Sequence, residues 1–170
     1  MQCPACYTRN LMGADDCTFC GFALCGLDGP APLDRIEGSL MLDPVERLKP
    51  RQPITVPATT TVGTVMDLMV EAGVGAVLLT GHDGELVGIL TERDFLTKIV
   101  GTPDFGIRPV SEFMSAAPEV VHPGDPLAFA LAKMAAGGYR HIPVVRGNRP
   151  EGMVSMRDAL RLIVQLCREG

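Results

Sequence analysis

The sequence predicts an α+β protein in which one strand-helix-strand-strand-helix unit occurs twice, preceded by a small four-cysteine zinc ribbon. The heptapeptide Gly-Ile-Leu-Thr-Glu-Arg-Asp at 88–94 returns at 152–158 as Gly-Met-Val-Ser-Met-Arg-Asp. Each copy has a glycine, two apolar residues, a hydroxyl residue, a spacer and a terminal Arg-Asp, and such a recurrence indicates an internal duplication. The ribbon is predicted because five of the six cysteines fall within the first 25 residues.

The first 29 residues form the predicted zinc ribbon. Cys3 and Cys6 make one Cys-x2-Cys pair, and Cys17 and Cys20 make a second. Four thiolates at this spacing suit a tetrahedral structural zinc ion, with iron or disulfides as the alternatives. So short a segment buries too little apolar area to offset about 1–2 kcal/mol of backbone entropy per residue, whereas structural zinc contributes roughly 10–16 kcal/mol. Cys25 is left over and is expected as a partly buried, small apolar residue.

Residues 30–43 are predicted to link the ribbon to the duplicated body, because Gly29-Pro30 marks a break. Apolar residues in this linker allow a short helix, which a glycine-serine pair disfavours. The body is divided into a first repeat over 44–104 and a second over 105–170.

Each repeat is predicted to open with a short helix at a proline and then to follow the strand-helix-strand-strand-helix order. The first repeat is assigned strands at 54–56, 76–80 and 86–90. The second repeat is assigned strands at 119–121, 142–146 and 152–154. Thr60 and Asp125 are the expected N-caps of the two long helices, and Gly73 and Gly137-Gly138 are the expected stops.

Composition narrows the class of protein. A net charge of -5 argues against a general nucleic-acid binder. The longest apolar stretches, such as 76–79, are too short to cross a bilayer, and the first residues lack the pattern of a secretion signal. We therefore expect a cytoplasmic protein in a reducing compartment. The three histidines match no metal-ligand spacing and no nucleophile motif is present, so we expect no enzymatic activity.

The body resembles a tandem pair of cystathionine-β-synthase-type (CBS) domains over about 44–168. The matching pieces are Glu112–Ser115, Arg140–Val145 and the two heptapeptides. In this family such pairs pack their sheets face to face and leave two clefts. The resemblance implies a regulatory protein that binds adenosine-containing molecules in those clefts, such as AMP, ADP, ATP, S-adenosylmethionine or NAD.

The resemblance also implies ligand-binding residues. Asp94 and Asp158 would accept hydrogen bonds from the ribose hydroxyls, with Thr91 and Ser155 beside them. The alternative interpretation of the same spacing is a helix capping box with no ligand, in which the acid accepts from the amide of the hydroxyl residue.

Phosphate and adenine would be bound by other residues. By resemblance, Arg140 and His141 would contact phosphate, and Arg157 would help or would pair with neighbouring acids. Backbone near Val56 and His122 would meet the adenine edge, with the His122 side chain either touching the ligand or only structural. The first repeat has Gly-Ala where the second has Arg-His, so either one cleft is weak or the two clefts share the cations of the second repeat. We expect one good nucleotide site.

These inferences predict a regulatory adenine-nucleotide sensor that signals through the ribbon or a partner. The alternative is an adaptor, either for protein contacts or linked to transcription, that uses the CBS pair as a dimerising scaffold. An acidic ribbon, with Asp15 and Asp16, favours protein over nucleic acid as its partner. The resemblance further implies a homodimer formed through the CBS pair.

Overall fold

The computed structural model describes residues 1–11, 13–25, 27 and 34–169. The chain divides into two compact units. The ribbon unit comprises residues 1–50, 121–142 and 154–170, and the sheet unit comprises residues 51–120 and 143–153. Each unit therefore combines segments from both predicted repeats.

The sheet unit is built on a four-stranded sheet. Its strands are β1 (Thr55–Pro57), β2 (Ala76–Thr80), β3 (Leu86–Thr91) and β4 (Ser115–Ala116), in the order β1-β2-β3-β4. β1 runs parallel to β2, and the other neighbours are antiparallel. Helix α2 (Val62–Ala72) makes the crossover between the two parallel strands.

Side chains on the central strands alternate between two apolar clusters, as the pleat requires. Val77 and Leu79 pack in a core with α2. Leu78 packs with Ala76 and Ile89 in a separate cluster. The sheet is therefore covered by apolar side chains on both faces.

Helix α2 begins one residue later than predicted. Its N-cap is Thr61, whose hydroxyl accepts from the Thr64 amide, so the expectation for Thr60 is wrong. Gly73 ends the helix in the left-handed conformation at φ 61°, as predicted.

The second repeat departs further from prediction. It contains α4 (Leu127–Gly137), α5 (Met156–Arg168) and a two-stranded sheet of β5 (His141–Arg146) and β6 (Arg149–Ser155). The predicted strand at 119–121 is reduced to a single bridge residue, Val121. Pro126 precedes α4, and the Asp125 carboxylate accepts from the His122 amide instead of capping that helix.

The predicted linker contains a helix, α1 (Arg35–Leu42), which packs against α4 and α5 within the ribbon unit. Asp34 caps it by accepting from the Glu37 amide at 2.8 Å. Ser39, from the pair expected to disfavour a helix, is buried and its hydroxyl donates to Asp43.

The short helices also differ from regular α-helices. The opening helices at Val45–Leu48 and Val110–Glu112 are single 3₁₀ turns. The final helix of the first repeat is α3 (Glu92–Asp94), continued by a π-helical turn at Phe95–Ile99. Among the described residues, we find no helix with the length and apolarity that crossing a bilayer requires.

Candidate functional site

The four predicted metal ligands come together in one cluster. The sulfur atoms of Cys3, Cys6, Cys17 and Cys20 all lie within 4.8 Å of one another. The Cys3–Cys20 and Cys6–Cys17 Sγ distances are 3.6 and 3.5 Å. A tetrahedral zinc ion with Zn–S bonds of about 2.3 Å places its sulfurs about 3.8 Å apart, whereas a disulfide needs about 2.05 Å. The donor set therefore fits a structural zinc ion.

Local hydrogen bonding arranges these thiols. Asn10, which sequence analysis did not identify, donates from Nδ2 to the Cys17 Sγ at 3.5 Å. Burial alone would raise the pKa of the Cys17 thiol, but the amides of Cys20 and Phe19 and the Asn10 side chain together lower that pKa to about 6. A thiolate is the form that binds metal. Cys25 lies outside the cluster and is exposed, so the expectation that it is partly buried is wrong.

Both heptapeptides form capping boxes. Asp94 Oδ2 accepts from the Thr91 amide and hydroxyl at 2.8 and 2.7 Å. Asp158 Oδ2 accepts from the Ser155 amide and hydroxyl at 2.9 and 2.6 Å. Spacing alone predicted this geometry, because the fourth residue of such a box lies on the first turn of the helix.

The second carboxylate oxygen of each acid meets a cation. Asp94 Oδ1 lies 2.7 Å from the Lys98 ammonium, and Asp158 Oδ1 lies 2.8 Å from the Arg161 guanidinium. Asp94 is buried, at 6% exposure, whereas Asp158 is half-buried. Burial favours protonation of Asp94, but hydrogen bonds from Lys98 and Thr91 outweigh it and hold the pKa of this carboxyl below its usual range.

The residue beside each box differs between the repeats. In the ribbon unit, the Met156 amide that opens α5 donates to the Arg140 carbonyl at 3.1 Å. In the sheet unit, the Glu92 amide makes the same bond to Gly75 at 3.1 Å. A Cβ placed on Gly75 would lie 3.1–3.3 Å from the Glu92 carboxylate group. The backbone partner of the box is therefore an arginine in the second repeat and a glycine beside an acid in the first.

The other predicted site residues divide between the two units. Arg140 and Arg157 are exposed and His141 is half-buried, and all three belong to the ribbon unit with the Ser155–Asp158 box. His122 is half-buried in the same unit. Val56 is buried in β1 of the sheet unit.

Comparison with known proteins identifies the family. The CBS domain family model matches the chain twice, at residues 45–101 and 110–165. The chain belongs to the CBS domain family. Because the model matches two consecutive segments, the predicted duplication is a tandem CBS pair.

Curated relatives match the CBS pair. The CBS domain-containing protein CBSCBSPB1 of Arabidopsis thaliana is 34% identical over 118 residues, which is 68% of this chain and 22% of that protein. An uncharacterized 17.7 kDa protein of Acidianus ambivalens is 27% identical over 127 residues, 74% of this chain and 76% of that one. The match thus spans about a fifth of the length of CBSCBSPB1 and of its Arabidopsis counterparts CBSCBSPB4 and CBSCBSPB5.

Solved structures share the fold. The CBS domain protein PAE2072 of Pyrobaculum aerophilum, complexed with AMP, superposes with a TM-score of 0.64 at 28% identity, covering 75% of this chain and 99% of that one. An uncharacterized conserved protein of Pyrococcus horikoshii gives 0.64 at 26% identity, covering 70% and 90%.

Proposed function

We propose that this CBS pair is a regulatory module that binds an adenosine nucleotide of the AMP, ADP or ATP type at its second repeat. One observation carries the proposal: the Met156 amide, which lies within the Ser155–Asp158 box at the start of α5, donates to the Arg140 carbonyl. The residues that carry a carboxylate, a hydroxyl and a guanidinium, Asp158, Ser155 and Arg140, thereby lie on two hydrogen-bonded stretches of backbone. The relative from Pyrobaculum aerophilum, which shares the fold, was solved with AMP.

These groups suit a nucleotide. The Asp158 carboxylate can accept hydrogen bonds from the two ribose hydroxyls, while Ser155 keeps the helix start in place. The Asp158 Oδ1 can exchange its Arg161 partner for a ribose hydroxyl, because Arg161 is 56% exposed and such exposed ion pairs contribute about 0–1 kcal/mol. Phosphate would lie toward Arg140, His141 and the α5 N-terminus, where the helix dipole favours an anion.

The first repeat is less suited to an anion. Gly75 stands where the second repeat has Arg140, and it lies beside the Glu92 carboxylate. Asp94 is engaged on both oxygens, with Thr91 and Lys98, as Asp158 is with Ser155 and Arg161, but Asp94 is more deeply buried. The Lys98 side chain is 38% exposed against 56% for Arg161, so releasing Asp94 from its partner costs more than releasing Asp158. We therefore assign the stronger site to the second repeat.

Titration calorimetry with AMP, ADP, ATP and S-adenosylmethionine tests the proposal. We expect at least one of these molecules to bind, and Arg140→Ala to weaken its binding by about tenfold or more, because a hydrogen bond to a charged group contributes about 1.5–3 kcal/mol. Arg149→Ala, which removes an exposed arginine from the start of β6, is the matched control and should bind like the wild type. Absence of binding by all four molecules, or equal weakening by the two substitutions, would contradict the proposed site.

The proposed role is regulatory rather than catalytic, and a reducing, cytoplasmic setting suits the free thiols. A bound nucleotide would change the output of the chain by favouring one of two conformations. The ribbon is the proposed transmitter, because it belongs to the same unit as the nucleotide site.

We also propose a homodimer that uses the exposed face of α5. Leu160 and Val164 are 57% and 48% exposed one turn apart, with Arg157 and Arg161 beside them. We expect sedimentation to give twice the 18.1 kDa mass of the chain. Leu160→Glu should return the protein to a monomer, whereas Leu42→Glu, at a still more exposed leucine of α1, should not. A wild-type monomer at all concentrations would refute this interface.

A further inference from the structure

Tyr7 occupies a backbone conformation that normally suits glycine. Each Cys-x2-Cys pair of the ribbon forms a turn, here called a knuckle, and the two knuckles are built alike. The amides of Tyr7 and Gly21 donate to the carbonyls of Cys3 and Cys17, each at 2.9 Å. Both donors are left-handed, with φ 60° for Tyr7 and 70° for Gly21. A bulky side chain is strained at such a φ, so the first knuckle carries a tyrosine at a conformational cost that the second knuckle avoids.

The Tyr7 side chain reaches the second CBS repeat. Its hydroxyl donates to Asp125 Oδ2 at 2.9 Å, and the same oxygen accepts from the His122 amide at 2.7 Å. The Tyr7 and His122 rings lie 5.6 Å apart at a tilt of 48°. The Lys133 ammonium, on a side chain that is buried in α4, lies 5.3 Å from the Tyr7 ring centre. One ribbon residue thus holds the 122–125 loop through a hydrogen bond and one ring contact, and it also contacts α4 through Lys133.

Further contacts connect this loop to the proposed nucleotide site. The Val45 amide donates to the Asp125 carbonyl at 2.8 Å, and the Glu46 amide donates to the Pro123 carbonyl at 3.0 Å. These two residues open the 3₁₀ turn that packs against α5, the helix that starts at the Ser155–Asp158 box. Every residue in this chain of contacts belongs to the ribbon unit.

We propose that Tyr7 couples retention of the ribbon metal to occupancy of the nucleotide site, acting as a positioning residue for the 122–125 loop; the nucleotide half of this coupling rests on the proposed function. Coupling of this kind is reciprocal: if AMP binds better when the loop is held by the ribbon, AMP also stabilises the metal-loaded ribbon. On this proposal the strain at Tyr7 is offset by the contacts of its side chain, because a glycine at position 7 would bond neither Asp125 nor His122.

Transfer of zinc to a colorimetric chelator, with and without saturating AMP, tests the coupling. We expect AMP to slow zinc transfer from the wild type by about tenfold, within the usual range of allosteric coupling. Tyr7→Gly, which keeps the left-handed backbone of the knuckle, should bind zinc but lose the effect of AMP. Tyr7→Phe should lose part of the AMP effect on zinc transfer. Tyr139→Phe, at the other tyrosine of the chain, is the control and should behave like the wild type. An equal AMP effect in Tyr7→Gly and wild type, or none in a wild type that binds AMP, would overturn the coupling.

A second measurement separates the coupling from the proposed function. If calorimetry shows that no adenosine nucleotide binds, the proposed function fails, and amide hydrogen exchange at His122 without nucleotide decides the coupling. We expect removal of zinc from the wild type to speed this exchange by about tenfold, because its acceptor Asp125 loses the Tyr7 hydroxyl. Zinc-loaded Tyr7→Gly should already exchange at the faster rate. An exchange rate unaffected by zinc removal would show that the ribbon does not hold the loop.

Discussion

Cys17→Ser is expected to abolish stoichiometric zinc binding and to unfold the ribbon. Apart from the four ligands, the apolar cluster of the ribbon is small, with Leu24 fully buried and Phe22 partly buried. Such a cluster cannot offset the entropy of ordering about 25 residues at about 1–2 kcal/mol each. Metal binding, at roughly 10–16 kcal/mol for sites of this kind, is a large favourable contribution that the variant would lose.

Metal analysis and amide hydrogen exchange over residues 1–25 measure this outcome. We expect one zinc ion per wild-type chain and strong protection at the Cys3, Cys17 and Leu24 amides, whose acceptors are the Thr8, Phe22 and Asp15 carbonyls. Cys17→Ser should lose both the zinc ion and the protection of these amides, and so should the wild type after treatment with a chelator.

Cys25→Ser is the matched control, because Cys25 is an exposed thiol of the same segment outside the cluster. It should keep both the metal and the protection. If Cys17→Ser retained one zinc ion with unchanged protection, the four-thiolate site would be refuted. Release of zinc by acid should also unfold the ribbon, because protons compete with the metal for the thiolates.

Features set by local geometry could be predicted from the sequence. Two Cys-x2-Cys pairs and two hydroxyl-x-x-Asp motifs each fix their chemistry over three or four residues, and the structure forms both capping boxes and the cysteine cluster. The three strands of the first repeat were predicted to within one residue at each end. β2 and β3 carry continuous apolar runs between turn residues, which is a clear strand signal.

Features set by distant partners could not be predicted. Asp125 looked like a helix cap, yet it bonds Tyr7, which lies 118 positions away in the sequence. The predicted strand at 119–121 was wrong, and Ser115–Ala116 forms a strand instead by pairing with β3 of the first repeat. A sequence pattern shows that a segment suits a strand, but the available partner decides where pairing occurs. The ribose role of the two acids stays a prediction, because capping alone explains their geometry.

Asp94→Ala is expected to lower the free energy of unfolding by about 2–3 kcal/mol at pH 7. The substitution removes the carboxylate that accepts from the Thr91 amide and hydroxyl, and it takes away the ion-pair partner of Lys98. A capping interaction contributes about 1 kcal/mol, and hydrogen bonds to a charged group contribute about 1.5–3 kcal/mol. Asp83→Ala, at an exposed acid between β2 and β3, is the control and should cost less than about 0.5 kcal/mol.

The unfolding free energy that Asp94→Ala loses should become smaller as the pH falls. Because the pKa of folded Asp94 lies below its usual range, this carboxylate stabilises the folded state above the unfolded pKa of about 4, and its contribution is lost as pH falls through the folded value. The difference between wild type and Asp94→Ala, measured by urea denaturation, should therefore be constant from pH 7 to about 5 and shrink at lower pH. If the difference in unfolding free energy between the two proteins stayed constant below about pH 4, the charge of the Asp94 carboxylate would contribute nothing to stability, and only the shape of the side chain would matter.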